Sequence, residues 1–217
     1  EKESDACLRD NTHGPHNLSV ACNKAGIRLI SFSTDLVFDG SKNAPYVESD
    51  PVNPLNMYGN TKAQAEYLLL KNAPSSLIIR TSAFFGPWDE YNFVHYVRKS
   101  LSQYETIRVP KDIYISPTYI PHLVNASLDI LIDEETGIWH LANKGSVSWS
   151  ELAYDIAERF ELDKTLIQPV KNEEMNYIAR RPSYSVLGSE KGHMLPTLET
   201  ALKEYLEKEK TEKRKVA

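Results

Sequence analysis

Residues 27–40 read IRLISFSTDLVFDG. The first eight, IRLISFST, form a mostly apolar run entered through Gly26, suited to a buried strand, and they end on the small hydroxyl residues Ser33 and Thr34. On the N-terminal side, residues 11–25 read as a helix. On the other side a loop rich in Asp, Gly, Pro and Asn runs from Asp39 to Pro54 and gives way to a helix over residues 56–71. After Pro74 a second buried-strand run follows, SLIIRTS at 76–82. Strand and helix alternate, which predicts an α/β fold with parallel strands.

The pattern continues outward. FVHYVRKSL (93–101) reads as a helix, and GIWHLAN (137–143) as a strand. In YIPHLVNASLDILI (119–132), helical spacing aligns Ile120, Leu123, Val124, Ser127, Leu128 and Leu131 into one largely apolar face. Ser148 and Glu151 have capping-box spacing, opening a helix with Leu152, Ile156 and Phe160 on one side. Thr197 is the expected cap of a last helix, whose tail KEKTEKRK (208–215) reads as a solvated, fraying end.

Composition narrows the class. The chain has 41% hydrophobic and 25% charged residues, ordinary for a globular protein with a proper core. Its net charge of −5 argues against a nucleic-acid binder. No apolar run approaches the roughly 20 residues of a spanning helix, so no membrane role is expected. Cys7 and Cys22 lack metal-ligand spacing and read as reduced thiols of a cytoplasmic protein. His13 and His16 are close but have no acidic or thiol partner at ligand spacing, so no metal is expected; His95, His122 and His140 read as structural. Trp139 and Trp149 fit core or domain-contact roles.

Chemistry concentrates between Thr34 and Lys62. Tyr58 and Lys62 are four apart on the expected helix and project from one face. An ammonium beside a phenol favours the phenolate, which suits proton transfer to or from a carbonyl or alcohol oxygen. Tyr67 and Lys71 repeat the spacing, but Tyr67 lies nine positions on, at about 100° per residue on the opposite face, and is read as packing or facing solvent. Thr34 ends a strand, and open parallel sheets bind ligands at the carboxyl ends of their strands. Tyr58 is therefore the better candidate.

The segments STDLVFDG (33–40) and PYVESDPVNPLNMYGNTK (45–62) closely resemble the extended short-chain dehydrogenase/reductases, and within them the dTDP-4-dehydrorhamnose reductase family. The likeness continues through IIRTS, Asn92-Phe93-Val94, SPTYIPHLVNAS, GIWHLAN, GSVSWSELA and ARRPSYSVL, in the family's order. The resemblance implies a Rossmann-like doubly wound parallel sheet with a smaller C-terminal substrate-binding region. Residues 1–82 would belong to a partial dinucleotide-binding domain, with 118–143 returning to it; 83–117 and 144–217 would hold substrate. It implies NADPH or NADH as cofactor and a 4-keto nucleotide-sugar as substrate. Tyr58 would be the general acid, Lys62 would lower its pKa and hold the nicotinamide ribose, and Thr34 would hydrogen-bond the same carbonyl oxygen. Ser33 and the Arg80-Thr81-Ser82 strand end, in particular Thr81 and Ser82, would line the cofactor side. Asn92, Arg180 and Arg181 would hold the nucleotide-sugar, although a surface salt bridge explains the two arginines equally well. Dehydratase relatives carry a second acid after the threonine-aspartate pair; Leu36 stands there, which favours reduction.

Three departures qualify the likeness. Ala83 replaces a frequent tryptophan, and Ile113 and Ile115 replace polar and glycine positions before Ser116-Pro117-Thr118. No glycine-rich run opens the chain, so the sequence is expected to be a fragment whose first strands and pyrophosphate site lie before Glu1, and to bind NAD(P)H poorly in isolation. A non-catalytic sugar-nucleotide-binding or regulatory module, as in the methionine adenosyltransferase regulatory subunit, is the alternative. A homodimer and fusion to an upstream domain also stay open.

Overall fold

The computed structural model describes residues 1–192 and 194–216, with side chains up to Glu209 in the last helix. Helices α1 (Ser4–Leu8) and α2 (Gly14–Ala25) are joined by a π-helical turn, Arg9–His13, into one longer run than the sequence predicts. The turn is fixed from outside the helix: the Thr12 hydroxyl donates to the Thr61 carbonyl at 2.7 Å. Gly26 closes α2 in the left-handed conformation, at φ 66°.

Strand β1 (Ile30–Thr34) leads through a 3-10 turn, Asp35–Val37, to helix α3 (Met57–Asn72) and strand β2 (Leu77–Thr81). Strand β3 (Phe84–Phe85), helix α4 (Phe93–Ser102) and strands β4 (Ile107–Pro110), β5 (Tyr114–Ile115) and β6 (Thr118–Tyr119) follow. Then come helix α5 (Ile120–Ile132) and strands β7 (Gly137–His140), β8 (Asn143–Lys144) and β9 (Val147–Ser148). Helix α6 (Trp149–Arg159), strands β10 (Ile167–Val170) and β11 (Leu195–Thr197) and helix α7 (Leu198–Val216) complete the chain.

The central sheet is parallel, in order β1-β2-β7, with Thr34 opposite Thr81 and Arg80 opposite His140. With a strand on either side, β2 is buried throughout. Among the described residues β1 pairs with β2 alone, and the run expected as a buried strand at 27–34 is only partly covered there, with Phe32 42% and Ile27 60% exposed. Burial returns only at Ser33 and Thr34, where the following turn and α3 cover the strand end. The expected stripe of α5 is also rotated. Leu123, Ala126, Ser127 and Ile130 face Leu77, Ile79 and Trp139, while Val124 and Leu128 are exposed. Many apolar residues around that helix leave periodicity unable to choose a face.

A second apolar cluster joins α4, α6 and α7 with β4 and β10, through Val97, Leu101, Ile107, Leu152, Ile156 and Tyr205. Ser148 caps α6 in a complete capping box with Glu151, and the Thr200 amide donates to Thr197 at the start of α7. The charged tail is not wholly solvated at its beginning: Lys208 lies over the Trp88 ring and Glu209 pairs with Arg98. Its side chains from residue 210 lie outside the described ones. No helix among the described residues is long and apolar enough to cross a membrane.

Candidate active site

Asn56 begins the site. Its Oδ1 accepts from the Gly59 amide at 2.8 Å, capping α3, while its Nδ2 donates to the Arg180 carbonyl at 2.9 Å. Gly59 lets the first turn of α3 lie against the turn that follows Thr34, since a Cβ there would stand 2.1 Å from the Leu36 carbonyl oxygen. That close approach brings Tyr58 beside Thr34.

Both residues line a cavity of about 260 Å³ at the carboxyl ends of β1 and β2. Ser33, Thr34, Asp35, Thr81, Ser82 and Ser185 supply its polar side. Ala83, Ile113, Ile115, Trp149 and Pro182 supply an apolar wall, so the three positions that depart from the resembled family all face the cavity. Ala83 is held at φ 40°, in the left-handed region that a residue with a Cβ seldom adopts. Ser82 Oγ is buried and faces Asp35 without completing a hydrogen bond. A neighbouring cavity of about 480 Å³ shares Ile113, Trp149 and Arg181 and adds Arg108 with Tyr91, Phe93, Tyr96 and Tyr177. The exposed Arg181 guanidinium lies 5.5 Å from the Tyr177 ring centre.

Electrostatics divide the residues further. Burial and then the charge of Asp35 push the Tyr58 phenol above its ordinary value, while the Thr34 hydroxyl works against that rise. The lowering expected from Lys62 is not what this state gives. Lys62 is half-buried, lies outside the cavity lining, and makes no hydrogen bond or ion pair among the described residues. Burial lowers its ammonium, with Glu66 opposing. Asp35 is 5% exposed and burial raises its carboxyl, against the Ser185, Ser82 and Thr34 hydroxyls that face it.

Several expected positions do other work. Arg80 does not line the cavity: its Nε and Nη2 donate to Glu66 at 2.9 and 2.7 Å in a buried pair, and Ser33 donates to the same carboxylate. Asn92 is likewise absent from both cavities. Its Oδ1 caps α4 by accepting from His95 at 2.9 Å, and its Nδ2 donates to Asp89. Arg180 offers its backbone to Asn56, and neither Arg180 nor Arg181 forms a salt bridge among the described residues. Tyr67 is 64% exposed with Lys71 over its ring at 5.8 Å, a surface pair. Asp35, Ser185 and Trp149 join the site although the sequence alone does not mark them as site residues. Trp149 follows the capping serine and points its ring toward both cavities' lining; the position of Ser185 depends on a contact spanning the chain.

The family described as RmlD substrate binding domain matches residues 1–211. The spore coat polysaccharide biosynthesis protein SpsK of Bacillus subtilis is 36% identical over 211 residues, 95% of this chain and 74% of that protein. A dTDP-4-dehydrorhamnose reductase of Mycolicibacterium smegmatis is 34% identical, over 88% of this chain and 59% of its own length. The crystal structure of dTDP-4-dehydrorhamnose reductase from Bacillus anthracis in complex with NADP superimposes with a TM-score of 0.92. That structure is 30% identical, and the match covers 96% of this chain and 75% of that one.

Proposed function

The chain belongs to the RmlD substrate binding domain family, and from that premise we propose that it carries the proton donor and sugar pocket of an NADPH-dependent reductase of a 4-keto nucleotide-sugar. The observation that carries this reading is the pairing of Thr34 and Tyr58 across one cavity at the carboxyl end of a parallel sheet.

The residues present fit a nicotinamide cofactor. Lys62 has a half-buried ammonium with no ion pair among the described residues, suited to ribose hydroxyls, and Ser82 has a buried hydroxyl at the cavity that completes no hydrogen bond among them. Ser33 and Thr81 line the same side. When bound, reduced nicotinamide supplies the hydride. Tyr58 gives its proton to the carbonyl oxygen; a phenol held above its ordinary value stays protonated at neutral pH, the form an acid needs. Thr34 fixes the same oxygen. Arg181, shared by both cavities, suits a diphosphate, and the aromatic side chains around Tyr177 suit a base.

The test uses the full-length protein with NADPH and a dTDP-linked 4-keto sugar. Tyr58→Phe should lower kcat by about 10²–10⁴-fold while nucleotide-sugar binding is retained. Reduction by the variant at the parent rate refutes the assignment. A parent that binds nucleotide-sugar and never oxidises NADPH replaces it with the non-catalytic module.

A further inference from the structure

Thr34 has one hydroxyl proton and two lone pairs to distribute. The Leu36 amide donates to its Oγ1 at 3.2 Å, which occupies one lone pair. The second close neighbour is Asp35 Oδ1, at 3.1 Å. An ionised carboxylate only accepts, so with Asp35 charged that contact consumes the Thr34 proton and turns a lone pair toward the cavity. A carbonyl oxygen arriving there would meet lone pair against lone pair. With the proton on Asp35 the same contact runs in reverse: the carboxyl donates to Thr34, whose hydroxyl is released toward the substrate.

We propose that Asp35 is a positioning residue for the reduction inferred above, and that its neutral carboxyl turns the Thr34 hydroxyl outward to the reacting oxygen. Its surroundings suit a neutral acid. Asp35 is 5% exposed, and no cation comes within ion-pair distance among the described residues. From the 182–185 segment, Ser185 Oγ donates to Asp35 Oδ2 at 2.5 Å; from the end of β2 comes Ser82; from α3 comes Tyr58, the one titratable side chain of these three. Arg181 lines the cavity but makes no salt bridge to the carboxyl. Burial raises the carboxyl in the sense the proposal requires.

The experiment compares parent, Asp35→Asn and Ser185→Ala as full-length proteins. For kcat against pH, the parent should show an alkaline decline from ionisation of Asp35. Ser185→Ala should move that decline upward, because it removes a donor to the charged form. Asp35→Asn should lack it whatever its absolute rate, since its amide can still donate to Thr34. An activity-free readout runs in parallel: urea stability of the parent relative to Asp35→Asn. A raised folded-state pKa means the native protein holds a proton that the unfolded chain releases. The parent should therefore lose stability against the variant as pH rises from the ordinary carboxyl range through the folded value. A Ser185→Ala profile that superimposes on the parent, or parallel stability curves, overturns the proposal. If no 4-keto nucleotide-sugar is reduced at any pH, the reductase reading fails and the stability comparison alone decides the state of Asp35.

Discussion

Removing one member of the Glu66–Arg80 pair should be among the most damaging single changes in the molecule. Both side chains are at most 5% exposed, and the guanidinium makes two hydrogen bonds to the carboxylate, at 2.9 and 2.7 Å. Glu66→Leu leaves a buried cation facing an apolar side chain and takes the acceptor from Ser33. Breaking such a pair costs about 3–5 kcal/mol. Set against a stability of about 5–15 kcal/mol for a typical domain, that is about a fifth of the whole or more. Arg80→Met added to Glu66→Leu removes the stranded charge. What then stays lost is a partner for Ser33, the bond to the Glu48 carbonyl and the contact with His140, each costing about 1 kcal/mol. The double variant should therefore cost no more than Glu66→Leu alone, and well under the sum of the two single changes. Urea unfolding of the full-length proteins, followed by tryptophan fluorescence, reads this as shifts in midpoint at constant slope. A Glu66→Leu cost below about 1 kcal/mol, or strict additivity of the two changes, would refute the account of a desolvated, mutually dependent pair.

Two further outcomes are expected. Gly59→Ala, which adds about 1 kcal/mol of stability in an unconstrained helix, should instead lose about 1–3 kcal/mol, because its Cβ meets the Leu36 carbonyl oxygen; a stabilised variant in the same urea assay would show that contact to be soft. His140 presents Nδ1 to the Tyr46 and Gly188 carbonyls at 3.1 and 2.9 Å and Nε2 to Arg80, so the ring is neutral with its proton on Nδ1. Burial and then Arg80 depress its pKa, so the stability it contributes is complete above the unfolded value of about 6.5 and is lost as pH falls through the folded one. Urea midpoints should decline on acidification below that point and do so less steeply in His140→Gln; equal slopes would contradict the neutral assignment.

Local rules carried the secondary structure far. The helix read over 56–71 is found at Met57–Asn72, and the strand read over 76–82 at Leu77–Thr81, because Asn56 caps, Pro74 interrupts and the apolar run that follows is buried. How far β1 is covered depends on which segments pack on it, information that a single strand's composition does not hold. The site divides the same way. Thr34 and Tyr58 come together through a strand end, a turn and a glycine within one short segment. Arg80 is expected at the cavity from its place at a strand end, but its guanidinium is taken up by the Glu66 carboxylate of α3. Asp35 meets Ser185 across 150 positions, and nothing local to either residue announces the contact.

The amide of Asn56 joins two parts of the chain that lie 124 positions apart. One end fixes the helix turn that bears Tyr58, and the other fixes the backbone just before Arg181. A planar group of constant size thus works as a gauge between the phenol and the guanidinium. A ligand that touched both would be sorted by its span as well as by its functional groups.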